Sequence, residues 1–199
     1  MKKIMFNDKY SLTQAVLDGR KTMTRRIIKY PSTFKGQWVA GFNIHRSHSD
    51  KKIIGYPCMY DADEREFDMG EILPKYKAGE VVAIAQPYKD IADEFRAHQC
   101  IQLIKHPGWN NKVFVRADLM PHHIRITNVK TERLQAISDI DCMAEGINYY
   151  EQEGFSWCTT GNLFNTPREA FAALIDKVSG KGVFQSNPYV FVYEFELVD

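Results

Sequence analysis

The sequence predicts an α+β chain: a small barrel or curled sheet of about six strands, with three short helices in the connections. Short apolar or alternating segments recur along the 199 residues, and the last of them is strongly aromatic. The helical stretches between them are brief and carry recognisable caps. Strands do not alternate regularly with long helices, which disfavours a doubly wound parallel sheet.

In chain order, KIMF at 3–6 is apolar enough for a first strand. SLTQAVLDG follows, with Ser11 and Gln14 in a capping-box spacing and Leu12, Ala15 and Val16 on one helical face. Gly19 is placed to end that helix in a left-handed cap. Residues 36–75 show no clean period and read as a hairpin plus a loop, or a mobile insertion. After a turn at Lys77, Ala78 and Gly79, Val81 to Ala85 form a buried strand. QCIQLIK at 99–105 and KVFVRA at 112–117 read as two strands around a turn at HPGWNN. HHIRITNVK alternates, with Ile124, Ile126 and, less regularly, Val129 inward and Arg125 and Thr127 outward.

Ser138 with Asp141 marks another helix start, and Gly146 its stop. Thr166, Pro167 and Glu169 open a further helix with proline at its first position. Phe171, Leu174, Ile175 and Val178 form its apolar face, and Gly180 ends it. NPYVFVYEFELV closes the chain as an alternating strand. There is no internal repeat and no low-complexity tract.

Composition bounds the function classes. Lys plus Arg is 26 against 25 for Asp plus Glu, so the chain has no overall charge to drive nucleic-acid or membrane coating. Any such contact needs a local patch. No run approaches the roughly 20 apolar residues of a membrane span, and the N-terminus has no signal-peptide core, so a cytoplasmic protein without membrane partners is expected. Cys58, Cys100, Cys142 and Cys158 are scattered without a CxxC pair, and His122 and His123 are adjacent and point apart on a strand. No metal and no other cofactor is therefore expected. Trp109 and Trp157 fall in loops, where an exposed indole would be a stacking candidate.

The most unusual segment is GRKTMTRRIIK. From Gly19 to Lys35 the charges are Arg20, Lys21, Arg25, Arg26, Lys29 and Lys35, with no acid among them. Such a patch suits phosphate or another anion, although a solvated face has the same composition. Strand parity would put Thr22 and Thr24 opposite Lys21, so joint action of Lys21 and Thr24 requires a turn between them. The helix stop at Gly19 makes a kink there plausible.

The spacing of Gly19, Lys21 and Arg26 matches the G-x-K-x-x-x-x-R signature of ASCH domains, members of the PUA-like superfamily. The chain also resembles them in its opening strand and helix, in YKAGEVVAIA, in IRITNVKTERLQAISDIDCMAEGI and in YVFVYEFE. The fuller pattern is similar to ASCH proteins common in bacteriophages and prophages. The resemblance implies a PUA-like β pseudobarrel, and a single domain over 1–199 with an insertion at about 37–75.

A small bacterial member of the family removes acetate from N4-acetylcytidine with a Lys, a Thr and a Glu. Carried over, these are Lys21, Thr24 and Glu145. The residue types suit amide hydrolysis, which needs an activated nucleophile and a donor for the developing oxyanion. Thr24 would attack. Lys21 would be the base, its pKa lowered by neighbouring arginines, or the oxyanion donor with Glu145 as base toward Thr24 or water. Gly19, Arg20, Arg25, Arg26, Arg125 and Tyr189 are the candidates for holding substrate or nucleic acid, Tyr189 as a stacking platform. Two functions follow: hydrolysis of an acylated or otherwise modified nucleoside, or a non-catalytic module that binds RNA or modified nucleic acid.

Overall fold

The computed structural model describes residues 1–151, 153–158 and 162–198, with His98 described by its backbone alone. The elements run β1 (Lys3–Ile4), α1 (Leu12–Leu17), β2 (Met23–Ile27), β3 (Thr33–Phe34), β4 (Gln37–Trp38), β5 (Gly41–Asn43), β6 (Cys58–Tyr60), β7 (Glu66–Glu71), β8 (Val81–Ile84), α2 (Ala97–Leu103), β9 (His123–Arg133), α3 (Asp139–Ala144), β10 (Asn148–Tyr150), β11 (Gly154–Ser156), α4 (Pro167–Ser179), α5 (Val183–Ser186) and β12 (Tyr189–Val198). The architecture is mixed α/β. A five-stranded mixed sheet has the order β1-β8-β9-β12-β2, and smaller sheets stand beside it. Only the β1–β8 pair is parallel within the large sheet.

The sheet is not closed by backbone pairing: β1 and β2 are its two edges. A side chain links them: the Arg26 guanidinium on β2 donates to the Met5 carbonyl just after β1 at 2.7 Å. Strand β12 lies between β9 and β2, and both of its faces are covered. Val190, Phe191, Val192 and Tyr193 are all buried, not only the aromatic alternates. This is the pattern of a strand covered on both faces. Ile124 and Ile126 on β9, Ile84 on β8 and Phe171 and Leu174 on α4 complete the main core.

Local caps form largely as the residues dictate. Thr166 and Glu169 make a reciprocal capping box at the start of α4, and Ser138 accepts from Asp141 N at the start of α3. Gly180 ends α4, but Val178 is half exposed rather than part of the core face. Ser11 departs from expectation. It sits at φ 56° and its side chain caps nothing, because a short helical turn at Asp8–Tyr10 has already reversed the chain, and Leu12 N donates to Asn7 O. Gln14 bonds Asp18 instead.

Two expected strands are absent. Residues 99–105 lie mostly in helix α2, and 112–117 form single helical turns. The 112–117 segment is tied to β1 by a side chain instead: the Lys3 ammonium donates to the carbonyls of Val113 and Val115 at 2.7 and 2.5 Å. Ile101, Val113 and Phe114 are exposed, while Val115 and Met120 pack with Tyr88 and Ala83 in a second core.

Residues 33–71 are folded. Strands β5, β6 and β7 make an antiparallel sheet with a small core of Val39, Met59 and Phe67. Helix α5 had no signal of its own; the Asp176 carboxylate in α4 builds it by accepting from Gly182 N and Phe184 N, each at 2.8 Å. Among the described residues no helix is long and apolar enough to cross a membrane.

Candidate functional site

The turn after α1 sets the geometry. Gly19 adopts φ 72°, Lys21 N returns to the Ala15 carbonyl at 2.8 Å, and β2 begins only at Met23. Lys21 therefore lies before the strand, and strand parity does not separate it from Thr24. On the other side, α3 ends at Ala144, and Gly146 at φ 102° turns the chain so that both the carbonyl and the carboxylate of Glu145 face Lys21.

Lys21 Nζ donates to Glu145 Oε2 at 2.6 Å, to the Glu145 carbonyl at 2.7 Å and to the Met23 carbonyl at 2.8 Å. Three acceptors match the three protons of an ammonium. The side chains of Lys21 and Glu145 are only 2% and 6% exposed. Burial pulls the Lys21 pKa below the ordinary lysine range, with the Glu145 carboxylate opposing it.

Arg25 holds the other side of this pair. Its guanidinium, with no exposed side-chain surface, meets Glu145 Oε1 at 3.2 Å, Glu132 Oε1 at 2.7 Å and Asp141 Oδ2 at 2.7 Å. Two buried cations thus share three carboxylates, and Lys130 approaches Glu132 from outside at 3.6 Å. Taking these ions out of water costs several kcal/mol each, and their mutual bonds offset that cost.

Lys21, Thr24, Arg25, Arg26 and Glu145 all line one cavity of about 810 Å³. Thr24 is buried, and its hydroxyl has no hydrogen-bond partner among the described residues. Helix α4 supplies an apolar wall through Phe171, Leu174 and Ile175, and Phe6 lies on the opposite side with Lys21 and Arg26 at 6.0 and 5.9 Å from its ring. Lys112 ties the near rim, pairing with Asp8 at 2.7 Å and donating to the Phe6 carbonyl.

Other sequence candidates lie elsewhere. Gly19 shapes the turn, while Arg20 is exposed and pairs with Asp18 at 2.9 Å. Arg125 is exposed on β9 and faces Glu196 at 3.4 Å. Tyr189 lies under the Arg133 guanidinium at 3.8 Å, so that ring face is already taken. None of these four lines the cavity. Trp157 is buried in the main core against Tyr10 rather than exposed in a loop. Cys142 is buried in α3, its thiol pushed up to about 12 by burial, which removes it as a nucleophile.

Sequence reasoning missed Glu132, Asp141 and Phe6. Nothing local marks them: Glu132 and Asp141 look like surface acids until Arg25 is placed between them. Among the described residues no group of three His, Cys, Asp or Glu side chains is arranged to hold a metal ion. The chain matches no family model, no curated protein and no solved structure.

Proposed function

We propose that this chain is a nucleoside-directed amidohydrolase of the ASCH type, acting on N4-acetylcytidine or a closely related acylated nucleoside. The observation that carries the reading is the buried 2.6 Å contact between Lys21 and Glu145, which opens together with the unpartnered Thr24 hydroxyl onto one cavity. A hydroxyl, an amine and a carboxylate in such a place are the groups an amide hydrolysis requires. In support of a PUA-like pseudobarrel stand the order of strand, helix, basic turn and strand, and the side-chain link between the two sheet edges from Arg26 to the Met5 carbonyl.

The chemistry follows from desolvation. The ammonium–carboxylate form of the Lys21–Glu145 pair is favoured by its hydrogen bonds, and burial narrows the gap to the neutral form. When the shared proton passes to Glu145, Lys21 becomes an amine able to take the proton of Thr24. The Thr24 oxygen then bonds to the acyl carbon. As the carbon–nitrogen bond breaks, the pair returns a proton to the cytosine amine. Water repeats the step on the threonine ester: its proton goes to Lys21, its hydroxide to the acyl carbon, and Thr24 regains a proton as acetate leaves. Once it carries the Thr24 proton, the Lys21 ammonium places positive charge beside the tetrahedral anion.

Incubation with N4-acetylcytidine is expected to release cytidine, read by chromatography. Thr24→Ala is expected to lower kcat by about 10²-fold or more, the usual scale for a group acting in the transition state. Release at an equal rate by Thr24→Ala overturns the role of the hydroxyl. No release from the unaltered protein overturns the hydrolase reading and leaves the non-catalytic nucleic-acid binding module.

A further inference from the structure

A second cavity of about 280 Å³ adjoins the first, and Met5, Arg26, Ile27 and Lys29 line both. The cations at this junction differ from those in the buried cluster. Arg26, Lys29 and, on the far side, Lys75 are exposed and form no ion pair with a carboxylate among the described residues. Both acids lining the first cavity are already paired, Glu145 with Lys21 and Asp8 with Lys112, and no acid lines the second.

Arg26 is also held in place. One Nη atom donates to the Met5 carbonyl at 2.7 Å and the guanidinium lies 5.9 Å from the Phe6 ring, which leaves the rest of its donor fork toward the junction. A neutral nucleoside offers these charges only hydroxyl and carbonyl acceptors and no opposite charge. A phosphate ester does, since a fixed guanidinium with a neighbouring ammonium is the usual way a protein holds one.

We infer that Arg26 and Lys29 form a phosphate subsite between the two cavities, and that the substrate is a phosphate ester of the nucleoside rather than the nucleoside itself. This rests on the first cavity being the nucleoside site. The second cavity, walled by Leu73, Tyr76 and Phe191, then receives whatever lies beyond the phosphate. Ile72 and Leu73 come from the end of the 37–75 insertion, which gives that segment a part in substrate choice.

The test has a binding arm and a turnover arm. Cytidine 5′-monophosphate is expected to bind at least about tenfold more tightly than cytidine, the scale of one charge-assisted hydrogen bond. The difference is expected to shrink with added salt, and to fall in Lys29→Gln and further in the Arg26→Gln, Lys29→Gln double variant. N4-acetylcytidine 5′-monophosphate is expected to exceed N4-acetylcytidine in kcat/KM by a similar ratio, and the ratio to collapse in the double variant. Equal binding of nucleotide and nucleoside overturns the subsite even where hydrolysis proceeds. Phosphate-dependent binding without hydrolysis of either substrate keeps the subsite and overturns the hydrolase. A cytidylyl dinucleotide separates the two sources of the ester: tighter binding than the monophosphate, lost in Leu73→Ser, assigns a strand, and equal binding assigns a free nucleotide.

Discussion

The buried cluster around Arg25 and the exposed insertion both carry opposed charges, yet they treat them in opposite ways. In the insertion, Asp68 meets Lys35, just ahead of it, at 3.8 Å with side chains 93% and 52% exposed, and Lys52 meets Asp50 at 3.2 Å in the same solvated manner. Water already satisfies those groups, so each pair contributes little. In the cluster, Lys21, Arg25 and Glu145 have almost no contact with water, and their mutual bonds are all that offsets their desolvation. An apolar core of the same volume would serve stability at least as well. Charge kept at such a cost beside an open cavity is what a site needs and a scaffold does not.

The sharpest way to break this contrast is to remove one member of the cluster. Glu145→Ala leaves Lys21 facing only the carbonyls of Met23 and residue 145, while Arg25 keeps Glu132 and Asp141. A loss of about 3–5 kcal/mol in unfolding free energy is expected, measured by urea denaturation. Replacing both ends, as in Lys21→Met with Glu145→Leu, is expected to restore most of that stability while abolishing the proposed hydrolysis. A double variant as unstable as the single one would mean that the pair is retained for folding.

A second, smaller effect comes from pH. Burial holds the Lys21 pKa in the folded chain below its unfolded value of 10.5. Between those two values the unfolded chain binds more protons than the folded one, so stability rises with pH across that window. Below the folded value Lys21 contributes no slope. The unfolding free energy of the protein is therefore expected to gain on that of Lys21→Met as pH climbs toward 10.5. Tyr76 and Tyr193 are present in both and cancel. A difference that falls instead would mean that Glu145 outweighs burial, and that Lys21 has no route to the amine form.

What could be read from the sequence divides along similar lines. Strands β9 and β12 and helix α4 were legible because alternation, proline placement and capping act over a few residues. The pairing of Lys21 with Glu145 spans 124 positions, and only the family resemblance brought the two together. Arg25 was legible as a cation but not as the hub of the cluster, since Glu132 and Asp141 carry no local mark of burial. The misread strand at 99–105 shows the converse failure. Its apolar residues suit either element, and the chain forms helix α2 there, with Ile101 and Ile104 left exposed. Tyr189 shared a strand with the aromatic core, but its ring is covered by Arg133, a contact no periodicity announces.

The smallest expected effect sharpens the same comparison from the insertion's side. Asp68→Ala removes a carboxylate that is 93% exposed and meets Lys35 at 3.8 Å, while the Lys35 ammonium keeps the residue 68 carbonyl at 2.8 Å. The change is expected to stay within about 0.5 kcal/mol by urea denaturation, the range of surface substitutions, and to leave hydrolysis unaltered. The measurement separates two ways in which charges hold this fold. If the insertion's pairs act only as solvated surface, the variant and the parent coincide at every salt concentration, because water and counter-ions take the place of the lost partner. A loss approaching that of Glu145→Ala would mean that exposure does not determine the value of an ion pair in this protein. Buried charge would then have no physical basis as the mark of a site in this fold.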